Sequence, residues 1–172
     1  MNIRDKILEM RYSRDKQAFV KYFIERPNEL KKVVQCVLDL EEYPTKEYGS
    51  YILTHIYKSG LLDLQYLYPP FVDLLFKTKD QTVLRNIVNC ISYMQITHYR
   101  ESELIDLLIG FIQDPKNKVA LHVYSIYVLI QFVEKYPELK SEIMEVIDLN
   151  SEKKTPAYTI ARRNFIKKTD HL

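Results

Sequence analysis

Four histidines (His55, His98, His122 and His171) and two cysteines (Cys36 and Cys90) are the side chains of this 172-residue chain best suited to hold a metal or act as nucleophile or base. No pair of histidines stands at metal-ligand spacing with a carboxylate or cysteine beside it, and neither HExxH nor CxxC occurs. GxSxG, GxxxxGKS and GxGxxG are equally missing. Paired carboxylates do occur, at Glu41-Glu42 and Glu101/Glu103. They stand near helix ends, where solvation or balancing of the helix dipole accounts for them. The chain is therefore expected to carry no catalytic, metal or cofactor site, and not to be an enzyme. A dyad assembled in space from distant parts of the chain stays open. His55, beside Ile52 and Ile56, reads as a half-buried, hydrogen-bonded core histidine. His122 lies off the Val119/Val123 stripe and reads as exposed.

Whatever chemistry there is must be positioned by helices. Three glycines, Gly49, Gly60 and Gly110, are too few for phosphate loops, hairpin turns or a doubly wound sheet. With 47% apolar and 28% charged residues the chain falls in the globular range, and no segment keeps a strand's period of two. The first ten residues, MNIRDKILEM, hold no apolar core of a signal peptide. The longest mainly apolar stretch, 123–133, is broken by Ser125 and Gln131 and is too short to span a membrane. Cys36 and Cys90 sit inside apolar helical patterns and read as buried free thiols. A cytoplasmic protein without membrane contact is the expectation.

Helical spacing is clear throughout. Leu30, Val33, Val34, Val37, Leu38 and Glu41 trace one face, and Leu104, Leu107, Leu108, Phe111 and Ile112 another. Asp114-Pro115 and Thr155-Pro156 each place a capping side chain before a proline at a first helical position. Ser13, Asp80 and Ser102 can cap other helices, while Tyr43-Pro44 and Tyr136-Pro137 close the helices before them. These signals predict ten helices, at about 3–11, 14–25, 28–41, 45–58, 61–76, 80–95, 101–113, 116–135, 138–149 and 156–168. Short connections make sequential helices antiparallel neighbours, so the chain reads as five hairpins in one domain over 1–172.

The hairpins recur. Tyr48, Ile52 and Ile56 map onto Val83, Ile87 and Ile91 at an offset of 35, and these onto Val119, Val123 and Tyr127 at 36. Ala157, Ala161 and Phe165 follow at 38. A helix pair that cannot bury its stripe alone and recurs at this period is the mark of an α-solenoid. The segment Tyr68–Ile91, YPPFVDLLFKTKDQTVLRNIVNCI, resembles the HEAT-repeat pattern. Pro70 matches the proline of its first helix, Leu74 and Leu75 the apolar run, Asp80 the turn, and Val83 and Arg85 the opening of its second helix. Leu84 separates Val83 from Arg85, where the family's pair is adjacent. Residues 104–129 repeat the form with Leu107, Leu108, Asp114, Pro115 and Val119, but carry Leu121 at the counterpart of Arg85. The C-terminal stretch from Val133 resembles the ending of small bacterial HEAT-like proteins, in which a final hairpin closes the stack with a basic helix. The resemblance covers roughly 28–168 and implies an all-α, right-handed α-α superhelix of about five HEAT-like hairpins.

In HEAT proteins the second helices line the concave surface. Among the chain's 14 tyrosines, Tyr48, Tyr51, Tyr93, Tyr124, Tyr127 and Tyr158 all fall on those helices. Tyrosine offers broad contact area with a polar tip at low entropic cost, which suits protein recognition. The opposing reading packs them between helices, with Tyr51 and Tyr124 the exceptions. Polar residues on the same helices suggest a second track: Arg85 and Asn89, then Lys118, His122 and Ser125, then Arg162 and Arg163. Facing one groove they would hold phosphates or carboxylates, as in the DNA-alkylation-repeat branch of HEAT-like proteins. Otherwise they form a solvated face. This chain departs from that branch in lacking tryptophan. The net charge of +2 conceals two basic ends, each +4, around a middle of −6 over residues 36–150. Lys153, Lys154, Arg162, Arg163, Lys167 and Lys168 form the densest basic patch.

The sequence thus points to a non-enzymatic scaffold that binds another protein along its second helices, through Tyr51, Arg85, Asn89, His122, Tyr124, Arg162 and Arg163. The alternative is nucleic-acid binding through Arg85, Lys118, Arg162 and Arg163.

Overall fold

The structure, a computed structural model, describes residues 2–151 and 155–172. Among the described residues it has ten α-helices and no strand. They are α1 (Ile3–Tyr12), α2 (Lys16–Ile24), α3 (Pro27–Leu38), α4 (Thr45–Ser59), α5 (Tyr68–Lys77), α6 (Gln81–Ser92), α7 (Glu101–Gln113), α8 (Val119–Lys135), α9 (Lys140–Leu149) and α10 (Pro156–Thr169). Short 3-10 turns at Gln65–Leu67 and Pro137–Leu139 precede α5 and α9.

Local side-chain chemistry decides where the boundaries fall. Asp80 caps α6 by accepting from the amides of Thr82 and Val83, at 2.9 and 3.0 Å. Thr155 caps α10 by accepting from the Tyr158 amide. Three other expected caps are displaced. Asp15, not Ser13, accepts from the Ala18 amide at the start of α2, while Ser13 accepts from the Asp15 amide. Arg100, in the left-handed region at φ 51°, precedes α7, so Ser102 lies inside the helix. Asp114 accepts from the Lys116 amide, making a turn around Pro115 that delays α8 to Val119.

Two expected helices are shorter than their apolar pattern. Leu40 takes a positive φ of 53° after α3, and the Leu40 and Glu41 amides donate to the Val37 and Cys36 carbonyls. That closing turn ends the helix before Glu41. At the start of α5 the chain from 61 onward forms a turn instead of helix. The Leu64 carbonyl accepts from both the Leu67 amide and the Tyr57 hydroxyl, and Pro69 and Pro70 then fill first-turn positions that need no amide donor.

The helices group into two compact units, Met1–Tyr93 and Met94–Leu172. Each unit has two layers. In the first unit α1, α3 and α5 are neighbours in one layer and α2, α4 and α6 in the other, with α3–α4 and α5–α6 packed as hairpins. Val33, Val37, Ile52, Ile56, Phe71, Val83 and Ile87 are fully or almost fully buried between the layers. In the second unit α7 packs on α9 and α8 on α10, with α7–α8 as a hairpin, around Leu104, Leu108, Phe132, Ile147 and Phe165. The side-by-side packing of second helices follows the sequence recurrence: a stripe repeated every 35–38 residues gives every second helix the same face to bury. No helix among the described residues is long and apolar enough to cross a membrane.

Candidate binding surface

In the first unit, the second-helix layer presents α4 and α6 side by side. Tyr48, Tyr51 and His55 follow at helical spacing on α4, and Thr82, Arg85 and Asn89 on α6. All six are half-buried. A depression of about 320 Å³ opens between the two helices, walled by Tyr43, Tyr48, Tyr51, Thr82 and Arg85. The structure therefore brings Tyr51 and Arg85 together at one site, while Asn89 stands one turn beyond it.

The frame beneath is rigid. Asn86, buried on α6, donates to the Ser50 hydroxyl at 2.9 Å, and Ser50 donates to the Glu47 carbonyl at 2.9 Å. A buried polar bridge of this kind fixes the register of α4 against α6, because slippage would strand its donors. Cations from the first hairpin complete the surroundings. The Arg11 guanidinium lies 5.6 Å from the Tyr48 ring centre and the Lys16 ammonium 5.7 Å from that of Tyr51. Tyr51 also meets His55 edge-on, with ring centres 4.6 Å apart.

Acidic groups lie under this surface. Glu47, nine-tenths buried, pairs with the neighbouring Lys46 at 3.0 Å. Burial pushes the Asp80 carboxyl up, but the Val83 amide, the Glu47 carboxyl, the Thr82 amide and Lys46 together hold it below its ordinary value. A depressed folded-state value means that Asp80 stabilises the fold above its unfolded pKa, near 3.9, and that this contribution is lost as pH falls through the folded value. Asp80→Ala is expected to cost about 0.5–2 kcal/mol at neutral pH through loss of the cap. Asp80→Asn keeps a capping oxygen and costs less. Urea titrations at pH 7 and pH 3 should show the gap between wild type and Asp80→Asn closing at the lower pH. A gap of constant size would refute the assignment.

The second unit treats its expected residues less evenly. Tyr124 and Tyr127 on α8 are half-buried, and the Asn164 amide on α10 reaches the Tyr127 hydroxyl at 3.5 Å. Arg163, Lys167 and Lys168 are exposed on α10. Arg162, on the same helix, is engaged: its Nε donates to Asp148 at 2.7 Å. His122 is a correction. It is 1% exposed, not solvated, and its Nε2 lies 3.2 Å from the Asp114 carbonyl while its ring meets Tyr158 edge-on. The turn at Asp114 folds back over the start of α8 and covers it. Ser125 is also fully buried and donates to the Leu121 carbonyl, so neither residue can belong to a surface track. Tyr158 is likewise core: its hydroxyl donates to the Ile147 carbonyl, and burial followed by Asp148 pushes its pKa up to about 12. Arg85 belongs to the first unit, whereas Lys118, Arg162 and Arg163 belong to the second. Lys153 and Lys154 lie outside the described residues.

Both cysteines are buried and free, as their helical setting indicated. Burial, then Glu41, pushes the Cys36 thiol up to about 11, and burial raises Cys90 well above its ordinary value. Both stay protonated and unreactive at neutral pH. Among the described residues no cluster of three His, Cys, Asp or Glu could hold a metal ion. His55 is half-buried as expected, yet it does more than fill core. It lines a second and larger concavity beside Lys16, Lys58 and the exposed face of α2. Single-helix patterns did not reveal that groove, because its two walls are 30 or more residues apart in sequence.

Comparisons with curated proteins and with solved structures found no match. The family model of the HEAT repeat domain matches residues 3–169, nearly the whole chain. With its helical recurrence, its two-layer units and this match, the chain belongs to the HEAT repeat family.

Proposed function

We propose that the chain is a non-enzymatic scaffold that binds another protein through its second helices. The observation that carries this reading is the meeting of Tyr51 and Arg85, from different helices, in one solvent-open depression above the Ser50–Asn86 bridge. A tyrosine anchor beside an arginine fork, on a backbone that need not rearrange, lowers the ordering cost of association. Tyr124 on α8 is the corresponding anchor of the second unit. The right-handed α-solenoid of five hairpins, as one domain over 1–172, belongs to the same proposal. Small-angle scattering from the chain in solution tests it.

Capture from native lysate at two salt concentrations, with wild type and the Tyr51→Ala/Arg85→Ala variant, tests the function. Recovery of a protein partner should fall at least about tenfold in the variant, equivalent to about 1.4 kcal/mol. The thermal midpoint should stay unchanged. Equal recovery by both proteins would sink the proposal. Nucleic-acid binding through Arg85, Lys118, Arg162 and Arg163 predicts duplex retardation that weakens steeply with salt. The Arg162–Asp148 ion pair counts against it, since that guanidinium already has its anion.

A further inference from the structure

The larger concavity of the first unit, about 600 Å³, lies between α2 and the C-terminal end of α4. Its α2 wall is a single helical face, Gln17, Val20, Lys21 and Ile24, at spacings of three, one and three residues. Its α4 wall is His55, Lys58 and Ser59. Gly60 then takes a left-handed φ of 65°, and the chain turns to place Leu61, 68% exposed, at the groove's end. Val20, Ile24 and Leu61 make an apolar floor left open to solvent, and lysines stand on both helices that border it.

The charge is one-sided. Lys16, Lys21 and Lys58 face a single acid, Glu25, whose carboxylate lies 3.9 Å from Lys21 and 3.7 Å from Arg26. Lys58 has no acidic partner among the described residues. Burial, then Lys16 and Lys58, lowers the pKa of His55, so the same positive field acts across the groove floor. Small ligand pockets occupy roughly 300–1,000 Å³, so this space accepts a few apolar side chains.

We infer that this groove docks an acidic amphipathic helix from a partner protein. Apolar side chains at helical spacing would enter between α2 and α4, and carboxylates flanking that stripe on both sides would meet Lys16 and Lys21 on one wall and Lys58 on the other. An extended strand finds no sheet edge here, and a fatty carboxylate would use one ammonium where three border the groove, the Lys16 ammonium also donating to the Met10 carbonyl at 3.1 Å. The inference rests on the scaffold reading and names the partner's chemistry at a place one turn along α4 from Tyr51.

The test uses the full chain and three probes: a labelled amphipathic helix of leucine and glutamate, its twin with glutamine at every glutamate, and decanoate. Fluorescence anisotropy at about 50 mM salt should show saturable binding of the acidic peptide. Binding should weaken at least about tenfold for the glutamine twin and for Lys21→Glu/Lys58→Glu, whose two sites are exposed and leave the helical circular dichroism unchanged. Arg85→Ala, at a residue that does not border the groove, should retain the peptide. No saturable binding, equal binding by Lys21→Glu/Lys58→Glu, or displacement of the peptide by decanoate would overturn the inference. If the acidic peptide fails while a partner is still lost on Tyr51→Ala/Arg85→Ala, the groove assignment alone falls. If both fail, the scaffold reading falls with it.

Discussion

Phe165→Ala should lower the free energy of unfolding by about 3–5 kcal/mol, the range for emptying a phenylalanine site in a packed core. Phe165 is completely buried, and α10 packs on α8. Polar ties from Tyr158 to the Ile147 carbonyl and from Arg162 to Asp148 also hold the helix, but its apolar attachment is narrow. Its buried residues are Tyr158, Ala161, Phe165 and Thr169, a stripe one side chain wide, while Ile160 and Ile166 point away and are 49% and 38% exposed. Alanine at 165 therefore opens a cavity in the middle of that stripe, and Ala161 is too small to fill it. The loss should appear as a lower midpoint in urea denaturation. Phe165→Leu, which keeps most of the volume, should recover more than half of it. A change below about 1 kcal/mol for the alanine variant would mean that α10 contributes little to the unit.

Gly49→Val should cost up to about 3 kcal/mol, although valine suits a helix better than glycine does. A β-carbon built at Gly49 would stand 2.8 Å from Val37 Cγ2, closer than such contacts normally come, and 3.6 Å from Val33 Cγ1. Val33 and Val37 are fully buried on α3, so the obstruction is a packed core and not a mobile side chain. Gly49 thus sets how closely α4 approaches α3. Gly49→Ala carries opposing terms: about 1 kcal/mol gained from helix propensity against the clash of one methyl. It should fall between wild type and valine. Thermal melts of the two variants decide the matter, and a valine variant as stable as wild type would contradict the close approach.

Much of the helical layout can be read from local pattern. Nine of the ten expected starts and all ten expected ends lie within three residues of those observed, because apolar period and capping act within one turn of the chain. The two largest displacements of a start, seven residues for α5 and three for α8, have local causes of a subtler sort. A proline pair and the Tyr57–Leu64 hydrogen bond shorten α5, and an Asx turn at Asp114 delays α8. The site was less legible. Tyr51 and Arg85 could be placed on second helices from the repeat alone, and they do meet. Tyr43, which walls the same depression, gave no such signal because it lies in the loop before α4. The burial of His122 comes from a turn eight residues upstream folding over it, which no helical wheel of α8 represents.

The amino-acid sequence by itself determined that this chain is helical and repetitive, since both properties depend on spacing within a helix or between equivalent helices. It also determined the basic ends and acidic middle, which are sums over composition. Only the tertiary structure decided which polar side chains face water. Arg162 and Arg163 are adjacent in sequence, yet one is tied to Asp148 and the other is exposed. Only the structure joined Val20, Ile24, Lys58 and Leu61 into one groove. The physical reason is the same in both cases. A helix's own period sets which residues share a face, but the elements packed against that face decide whether it is core, ion pair or open surface.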